Sequence, residues 1–324
     1  MQKSAIGIDL GGTNLKGIII NGDGTSRHLT RIPTGAEKGG AHVMENILTL
    51  IDELIKKEGT SETIMGVGIG TPGFVSDEGV VDGAENLPGW KGTRLYEPVK
   101  ERFGLAAIGA NDATVAALAE ARFGAGRGVR NMVLLTLGTG IGGGIIVNHK
   151  LFTGTFGMAA ELGHIIVETG GIQCNCGLKG CVERYSSATG HVTLAKQFAA
   201  ATPEGRDTPF SLFAKNNPEA LSSKSIYDYV ENGDPVALQV HETASEMLGR
   251  LIGMICNTLS PDLVILGGGV MKSGRIISDA VSRYAAKNCW PMIWEKCRLE
   301  VAQLSEDAGV LGAGAMVFDA FGEG

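Results

Sequence analysis

One stretch of this chain recurs in a similar form later in the sequence. The run DLGGTNLKGIIIN at Asp9–Asn21 aligns with TLGTGIGGGIIVN at Thr136–Asn148 at a constant offset of 127 residues. Each copy is typical of a β-strand, a glycine-rich turn and a second strand, because apolar residues flank the glycines on both sides. Two such copies predict two similar α/β domains that face each other across a cleft. A chance likeness between two glycine-rich hairpins is the alternative that this pattern leaves open.

Glycine is the compositional outlier, with 49 in 324 residues. That is about twice the usual ~7%. The glycines cluster after apolar runs that are typical of strands, where they let the backbone approach a ligand closely. Ordinary tight hairpins remain the alternative for any single cluster. The clusters lie at Gly7–Thr13, Gly66–Gly73, Leu137–Gly144 and Leu266–Val270.

Two of these clusters match the dinucleotide-binding pattern G-x-G-x-x-G, at Gly68–Gly73 and Gly138–Gly143. In that pattern the N-terminus of a helix directly after the glycines binds the pyrophosphate. Here a turn follows the first match and a strand follows the second, so we exclude a dinucleotide site. The chain also contains no Walker A sequence, which argues against a P-loop nucleotidase.

The glycine turns can still bind phosphate through their backbone. Asp9–Thr13 offers successive amides, a hydroxyl and a carboxylate, the groups that hold phosphate oxygens and Mg²⁺. Gly138–Gly140 offers amides and a hydroxyl from the second copy. Two facing turns of this kind predict a polyphosphate site. Asp9 as a simple turn former is the alternative.

A carboxylate stands where a predicted strand meets a predicted helix. Asn111 and Asp112 lie between the strand at 106–110 and an alanine-rich helix at Asp112–Arg122. Side chains at the carboxyl ends of such strands reach ligands in α/β proteins, and phosphoryl transfer to an alcohol needs a carboxylate to accept the proton. Asp112 is therefore a candidate base, and a helix N-cap is an equally good reading of its position.

The segment Glu161–Glu183 contains one histidine and three cysteines within eighteen positions, with the spacing H-x9-C-x-C-x4-C. Three thiolates and an imidazole are the ligands of a closed tetrahedral zinc site, which shapes a loop and leaves no position for substrate. The carboxylates at its two ends are candidates for binding a polar ligand. The predicted zinc ligands are His164, Cys174, Cys176 and Cys181. The other cysteines, Cys256, Cys289 and Cys297, are predicted to be packing residues.

Bulk properties narrow the class of protein. The length of 324 residues predicts two domains, and the net charge of −7 argues against a nucleic-acid partner. No apolar run approaches the roughly 18 residues of a membrane span, and no secretory signal is recognisable at the N-terminus, so we expect a cytoplasmic protein with reduced thiols.

Helical periodicity predicts further elements. Apolar residues at helical spacing indicate a helix at His42–Glu58 that ends at Gly59. Later helices are predicted near Thr189–Ala200, Glu242–Leu259 and Asp307–Phe321. Residues 202–223 are polar and are predicted to form an irregular surface excursion, to which no role is assigned.

The motifs above resemble those of the ROK family (repressors, open reading frames and kinases), and the resemblance covers essentially the whole chain. Asp9–Lys16 resembles the first phosphate motif of the family, and Glu161–His164 resembles its sugar-binding E-x-G-H motif. Cys174–Glu183 resembles its C-x-C-G-x-x-G-C-x-E zinc motif. Asn86–Trp90 and the residues after Glu183 are most similar to the glucokinases of the family.

The resemblance implies an α/β fold of two actin-like, sugar-kinase (ribonuclease H-like) domains that face across a cleft and carry a structural zinc loop. The last helix of such proteins returns to the N-terminal domain. We therefore expect a small domain of residues 1–112 plus 307–324 and a large domain of residues 113–306.

The resemblance also implies site residues. Asp112 is the expected catalytic base, and His164 is expected to bind zinc with one ring nitrogen and face the sugar with the other. The expected sugar-binding residues are Gly73, Asn86, Asn111, Asp112, Glu161, His164 and Glu183. The expected nucleotide-binding residues are Asp9, Gly11, Gly12, Thr13, Lys16, Gly138, Thr139, Gly140, Gly267, Gly268 and Gly269.

The implied activity is transfer of the γ-phosphoryl group of ATP to the 6-hydroxyl of glucose, with Mg²⁺ and structural Zn²⁺. The implied partners are glucose and ATP, without nucleic acid or membrane, in a homodimer or a dimer of dimers. A kinase for another hexose, chiefly N-acetylmannosamine, is the alternative. A sugar-responsive repressor is disfavoured because the phosphate motif begins at Asp9, which leaves no room for a helix-turn-helix before it.

Overall fold

The computed structural model describes residues 3–59, 63–84 and 87–322. Its chain forms two compact units. Unit 1 comprises Met1–Arg130, Gly144–Ala160 and Gln303–Gly324, and unit 2 comprises Asn131–Gly143 and Glu161–Ala302.

Two five-stranded sheets have the same strand order. The first runs β3-β2-β1-β4-β7 and the second β10-β9-β8-β11-β12, each with an antiparallel hairpin beside parallel strands. The repeated hairpins at Asp9–Asn21 and Thr136–Asn148 occupy equivalent positions in the two orders, which confirms the duplication seen in the sequence. The strands are β1 Ser4–Leu10, β2 Asn14–Asn21, β3 Ser26–Pro33, β4 Ile64–Thr71, β5 Phe74–Val75, β6 Val81–Asp82, β7 Ala106–Asn111, β8 Met132–Leu137, β9 Ile141–Val147, β10 Lys150–Leu151, β11 Leu263–Gly267 and β12 Arg298–Val301.

The two units also contain the following helices. They are α1 Gly40–Glu58, α2 Tyr96–Phe103, α3 Asp112–Phe123, α4 Glu183–Ser186, α5 Ala188–Ala201, α6 Pro209–Asn216, α7 Ser223–Glu231, α8 Pro235–Leu259, α9 Arg275–Asn288, α10 Pro291–Trp294 and α11 Ala308–Phe321. Short 3₁₀ turns occur at Ala36–Lys38, Leu162–His164, Pro218–Ala220, Gly269–Ser273 and Ser305–Asp307.

The core of unit 1 follows the two-residue period of its strands. Ile6 and Ile8 of β1 pack with Ile47 and Ile51 of α1, whereas Ala5 belongs to a separate cluster with Val317 of α11. Successive side chains of a strand point to opposite faces, so α1 and α11 cover the two faces of the first sheet. Helix α1 ends as predicted at Gly59, whose φ of 81° is left-handed and whose N–H donates to the carbonyl of Ile55.

Unit 2 buries two histidines, His191 and His241. His191 Nδ1 lies 3.0 Å from Ser223 Oγ, and His241 Nδ1 lies 3.2 Å from the hydroxyl of Tyr227. Burial lowers the pKa of His191 to about 4, with His241 adding to the shift. Both rings are thus packed in the interior of this unit.

The prediction for residues 202–223 was wrong. They contain α6, whose Phe210 is fully buried, and the first N–H groups of α6 are satisfied by a capping box at Thr208. The Asp234 carboxylate accepts the N–H of Phe210 at 2.9 Å and also caps α8. Because Asp234 precedes Pro235, α8 begins seven residues before the predicted Glu242. Phe210 and Phe213 both pack against Tyr229 of α7, and this tertiary contact stabilises the short helix.

The predicted domains also differ from the compact units. Helix α3 packs against α11, so the residues after Asp112 lie in unit 1 up to Arg130. Residues 144–160 belong to unit 1 as well. The domain boundaries stay a prediction. Within the described part of the chain, no helix combines the length and the apolarity that crossing a membrane requires.

Candidate functional site

The first glycine turn joins β1 to β2 in unit 1. The N–H of Gly11 donates to the carbonyl of Asn14 at 3.0 Å. Thr34, which is fully buried, donates its hydroxyl to the carbonyl of Gly11 and its N–H to the carbonyl of Thr13. Gly12 and Thr13 are exposed. Thr34 therefore stabilises the turn from its buried side, and the exposed side of the turn remains accessible to a ligand.

Asp9 enters this turn from β1. Burial raises the pKa of the Asp9 carboxyl to about 6, Lys16 opposes the shift and Asp112 adds to it. Lys16, directly opposite Asp9 in the β1–β2 pair, donates from Nζ to the carbonyl of Glu306 at 2.8 Å. Lys16 and Asp112 thus both lie close enough to Asp9 to influence the ionisation of its carboxyl. A buried carboxylate next to a second carboxylate favours binding of a cation.

The N-cap of α3 is Asn111 and not Asp112. The Asn111 side chain accepts the N–H of Ala113 at 3.0 Å and donates from Nδ2 to the carbonyl of Gly73 at 3.1 Å. Asp112 follows as the first helical residue, and its Oδ1 also accepts the N–H of Ala113, at 2.8 Å. Part of Asp112 is exposed, but desolvation by the surrounding protein raises the pKa of its carboxyl. The hydrogen bond from the N–H of Ala113 opposes this rise. With the cap supplied by Asn111, Asp112 can take up a proton.

In unit 2 the four predicted metal ligands converge. One donor atom from each of His164, Cys174, Cys176 and Cys181 lies within 4.8 Å of all the others. Cys176 Sγ is 3.6 Å from Cys181 Sγ, and Cys174 Sγ is 3.7 Å from His164 Nδ1. A tetrahedral zinc ion with bonds of ~2.3 Å to sulfur and ~2.0 Å to nitrogen separates its ligands by about 3.5–3.8 Å. The donors therefore fit such an ion.

The thiols also need a cation. Burial, together with the neighbouring Cys176 and Cys174 thiols, raises the pKa of Cys181 to about 12. Three thiolates at this spacing repel one another unless a metal ion lies between them. Tyr185 supports the loop, since its hydroxyl accepts the N–H of Ile172 at 2.8 Å.

His164 has a different neighbour at each ring nitrogen. Nδ1 faces the thiol of Cys174, whereas Nε2 lies 3.8 Å from Oε2 of Glu161. Nδ1 is therefore the nitrogen that is placed to bind a metal ion, and Nε2 is directed towards the Glu161 carboxylate. One imidazole thus faces the cysteine cluster with Nδ1 and a partly exposed carboxylate with Nε2.

Glu183 is bonded to the second glycine turn. Its Oε2 accepts the N–H of Ile141 at 2.9 Å. A Cβ atom added to Gly140 would lie 2.4 Å from the same oxygen, so the carboxylate rests directly on the glycine. The end of the metal-binding segment and the turn between β8 and β9 are thus held together by one carboxylate.

The remaining predicted residues of unit 2 surround the same turn. The carbonyls of Gly138 and Thr139 accept the N–H of Ala188 and the hydroxyl of Thr189, both at 2.8 Å. Gly267 ends β11, and Gly269 begins the 3₁₀ turn that follows. A Cβ atom at Gly268 would lie 2.4 Å from the carbonyl oxygen of Leu137. The two glycine turns of unit 2 are therefore neighbours.

One predicted residue, Asn86, lies outside the described residues. A cavity of about 900 Å³ runs along β7 in unit 1 and includes Asn111 in its lining, with Tyr96, Leu118 and Met316. Asp9, Gly73 and Asp112 do not line it. Among the predicted site residues that the structure describes, Asn111 alone lines this cavity.

Sequence reasoning missed Gly309 and Glu120. Gly309 of α11 lies against the Asp9 carboxylate, and Glu120 of α3 is a buried carboxylate that accepts three backbone N–H groups. An isolated glycine and a single glutamate within a helix carry no motif that would have identified them.

Comparison with known proteins gives consistent matches over the whole chain. The model of the ROK family matches residues 5–320. A glucokinase of Halalkalibacterium halodurans is 35% identical over 96% of this chain and 94% of its own length. The crystal structure of a ROK family glucokinase from Streptomyces griseus, in complex with glucose and AMPPNP, is 32% identical, with a TM-score of 0.77 over 97% of this chain and 98% of that one. An N-acetylmannosamine kinase of Citrobacter koseri is 28% identical over 96% of this chain and 97% of its own length.

Proposed function

Because this chain belongs to the ROK family and has the mixed α/β fold of its sugar kinases, we propose that it is a glucokinase. It transfers the γ-phosphoryl group of ATP to the 6-hydroxyl of D-glucose and releases ADP. The observation that carries the proposal is Asp112, a carboxylate of raised pKa at the first position of α3, whose N-cap is supplied by Asn111.

Asp112 is the proposed general base. Phosphoryl transfer to an alcohol requires a group that accepts the hydroxyl proton as the new bond forms. A raised pKa makes a carboxylate a stronger base, and a positioned base contributes roughly 10²- to 10⁴-fold to the rate. Asn111 supports this role because its side chain satisfies both the helix N-terminus and the carbonyl of Gly73.

Sugar contacts are proposed for seven residues, and two of them, Glu161 and Glu183, have carboxylates that are held in place by neighbours. Glu161 is directed at Nε2 of His164, and Glu183 is fixed by the N–H of Ile141. A carboxylate held in one orientation binds sugar hydroxyls with little loss of side-chain entropy. The proposed sugar-binding residues are Gly73, Asn86, Asn111, Asp112, Glu161, His164 and Glu183.

The nucleotide is proposed to bind at the glycine turns. Backbone amides and hydroxyls of the turns bind phosphate oxygens, and Asp9 holds Mg²⁺ directly or through water. When bound there, Mg²⁺ would neutralise charge on the transferred phosphoryl group. The proposed residues are Asp9, Gly11, Gly12, Thr13, Lys16, Gly138, Thr139, Gly140, Gly267, Gly268 and Gly269.

The metal site is proposed to hold structural Zn²⁺ through Nδ1 of His164 and the thiolates of Cys174, Cys176 and Cys181. When bound, zinc supplies the positive charge that lets the three thiols ionise together. The chain's own part is to bring Glu161 and Glu183, which flank the ligands in sequence, into fixed orientations.

We also propose that the protein forms a homodimer or a dimer of dimers. Light scattering after size-exclusion chromatography tests this oligomeric state.

The function is tested by a coupled assay of ADP release. The panel comprises glucose, mannose, N-acetylmannosamine, N-acetylglucosamine, fructose and allose, each with ATP and with polyphosphate. We expect the highest kcat/KM for glucose with ATP. A higher kcat/KM for N-acetylmannosamine, or for any other sugar, would show that glucose is not the preferred substrate, although the protein would still be a sugar kinase.

The base is tested separately with Asp112→Ala and Asp112→Asn. Both variants should retain glucose binding, measured by calorimetry, and lose ADP release. Retention of normal turnover in both would remove Asp112 from the base role. Thermal unfolding confirms that each variant is folded.

A further inference from the structure

A seven-residue segment, Gln303–Gly309, leads into α11 and is held by charged side chains of unit 1. Oε1 of Glu120 accepts the N–H of Gln303 at 2.9 Å and that of Leu304 at 2.8 Å. Only 1% of Glu120 is exposed, and its second oxygen accepts the N–H of Ala125 at 2.8 Å. Hydrogen bonds from backbone amides to a buried carboxylate are strong and directional. Glu120 therefore fixes the path of this segment.

The segment also contacts the first phosphate motif. Nζ of Lys16 donates to the carbonyl of Glu306 at 2.8 Å. At the end of the segment, Gly309 lies beside the Asp9 carboxylate. A Cβ atom added to Gly309 would lie 2.5 Å from Cγ of Asp9 and 2.7 Å from each of its carboxylate oxygens. All three distances are shorter than the approximately 3.5 Å of an ordinary contact.

A second glycine of α11 shows what is particular about Gly309. A Cβ atom at Gly312 would lie 1.8 Å from the backbone oxygen of Val115, so that glycine is required for α11 to pack on α3. At Gly309 the obstructed atoms belong to the end of a side chain. A methyl group there can be accommodated by rotation of the Asp9 side chain, with the backbone unchanged.

We propose that Gly309 is a positioning residue for Asp9: the missing side chain leaves the space in which the Asp9 carboxylate sits, and the segment held by Glu120 and Lys16 keeps that space in place. This proposal rests on the proposed function for its consequence, since Asp9 is there assigned to Mg²⁺ and the phosphates. Displacing a reacting group by about 1 Å can reduce a rate roughly 10²-fold.

The first test measures the geometry without any ligand. Melting temperatures are compared for the wild type, Asp9→Ala, Gly309→Ala and the double variant. Alanine is the better helix former, so Gly309→Ala should raise the melting temperature by about 2 °C when Asp9 is absent. In the presence of Asp9 the same change should bring no gain or a loss. An equal gain in both backgrounds would overturn the proposal.

The second test measures function with magnesium and ATP as the varied ligands. Gly309→Ala should lower kcat/KM for MgATP at least tenfold and raise the Mg²⁺ concentration for half-maximal rate, with KM for glucose changed less than twofold. The matched control is Gly22→Ala, which adds its methyl group against α11 at an ordinary 3.9 Å from Phe318. This control should retain wild-type kinetics.

The outcomes separate the two proposals. The effect of Gly309→Ala on the melting temperature can depend on Asp9 while the kinetics of this variant match the wild type. In that case Gly309 is a packing residue and the positioning role is wrong. If the wild type phosphorylates no sugar, the proposed function fails, and the melting-temperature cycle still decides whether Gly309 seats Asp9.

Discussion

Replacing Gly140 by alanine is expected to disturb sugar binding through Glu183. The added Cβ would lie 2.4 Å from Oε2 of Glu183. Ordinary van der Waals contact begins at about 3.5 Å, so the carboxylate must move by about 1 Å. That movement breaks the 2.9 Å hydrogen bond that Oε2 accepts from the N–H of Ile141.

The magnitude follows from this bond. A hydrogen bond to a charged group contributes about 1.5–3 kcal/mol. Since 1.36 kcal/mol corresponds to a tenfold change in rate, kcat/KM for glucose should fall roughly 10- to 100-fold. The loss should appear mainly as a higher KM for glucose, because the displaced carboxylate is proposed to bind the sugar before the phosphoryl group moves.

The assay is steady-state ADP release at varied glucose and saturating ATP. Gly138→Ala is the matched comparison, because it adds the same methyl group to the same turn, where the nearest atom is 4.0 Å away. It should leave KM for glucose near the wild-type value, whatever its effect on ATP. Equal KM values for glucose in the wild type and Gly140→Ala would refute the argument that Glu183 is fixed by this turn.

Three further predictions concern the metal, the base and acid stability. Cys174→Ala should release zinc, measured with a chromogenic chelator, and weaken sugar phosphorylation at the same time; zinc loss with unchanged glucose kinetics would separate the loop from the sugar site. Because the pKa of Asp112 is raised, kcat/KM should decline on the acid side at a pH above the ordinary value for aspartate, and a profile that is flat down to pH 4 would contradict this. His191 is neutral in the folded protein at a pKa of about 4, whereas the unfolded chain binds its proton near pH 6.5, so stability decreases as pH falls. Between pH 7 and pH 5 the free energy of unfolding should fall by about 2 kcal/mol more in the wild type than in His191→Gln, measured by urea denaturation. Identical pH dependence in the two proteins would exclude His191 as the source.

Much of the candidate site was predictable because its chemistry is local in sequence. The four metal ligands lie within eighteen positions, so the segment needs only short turns to bring them together. The predicted helix at His42–Glu58 and the strands on either side of the glycine turns were confirmed, since burial on one face imposes a periodicity that the residues carry. The repeat at an offset of 127 residues predicted two similar α/β domains, and the structure adds that the two sheets have the same strand order.

Other features required the tertiary structure. From the sequence, Asp112 was equally a cap or a base, and only the hydrogen bonds of Asn111 showed which residue caps α3. Helix α6 was missed because its helical spacing of apolar residues, at Phe210, Phe213 and Ala214, extends over only eight residues within a polar segment.

The amino-acid sequence by itself predicted the His/Cys cluster, the glycine turns and the two strand–turn–strand hairpins, because each depends on residues that are close along the chain. The close approach of Gly309 to Asp9, and of Glu183 to Gly140, was decided by the tertiary structure alone. These contacts join residues 300 and 43 positions apart. In each contact a carboxylate occupies the space that the side chain of a larger residue would fill. That space is formed only when the helices and strands pack together.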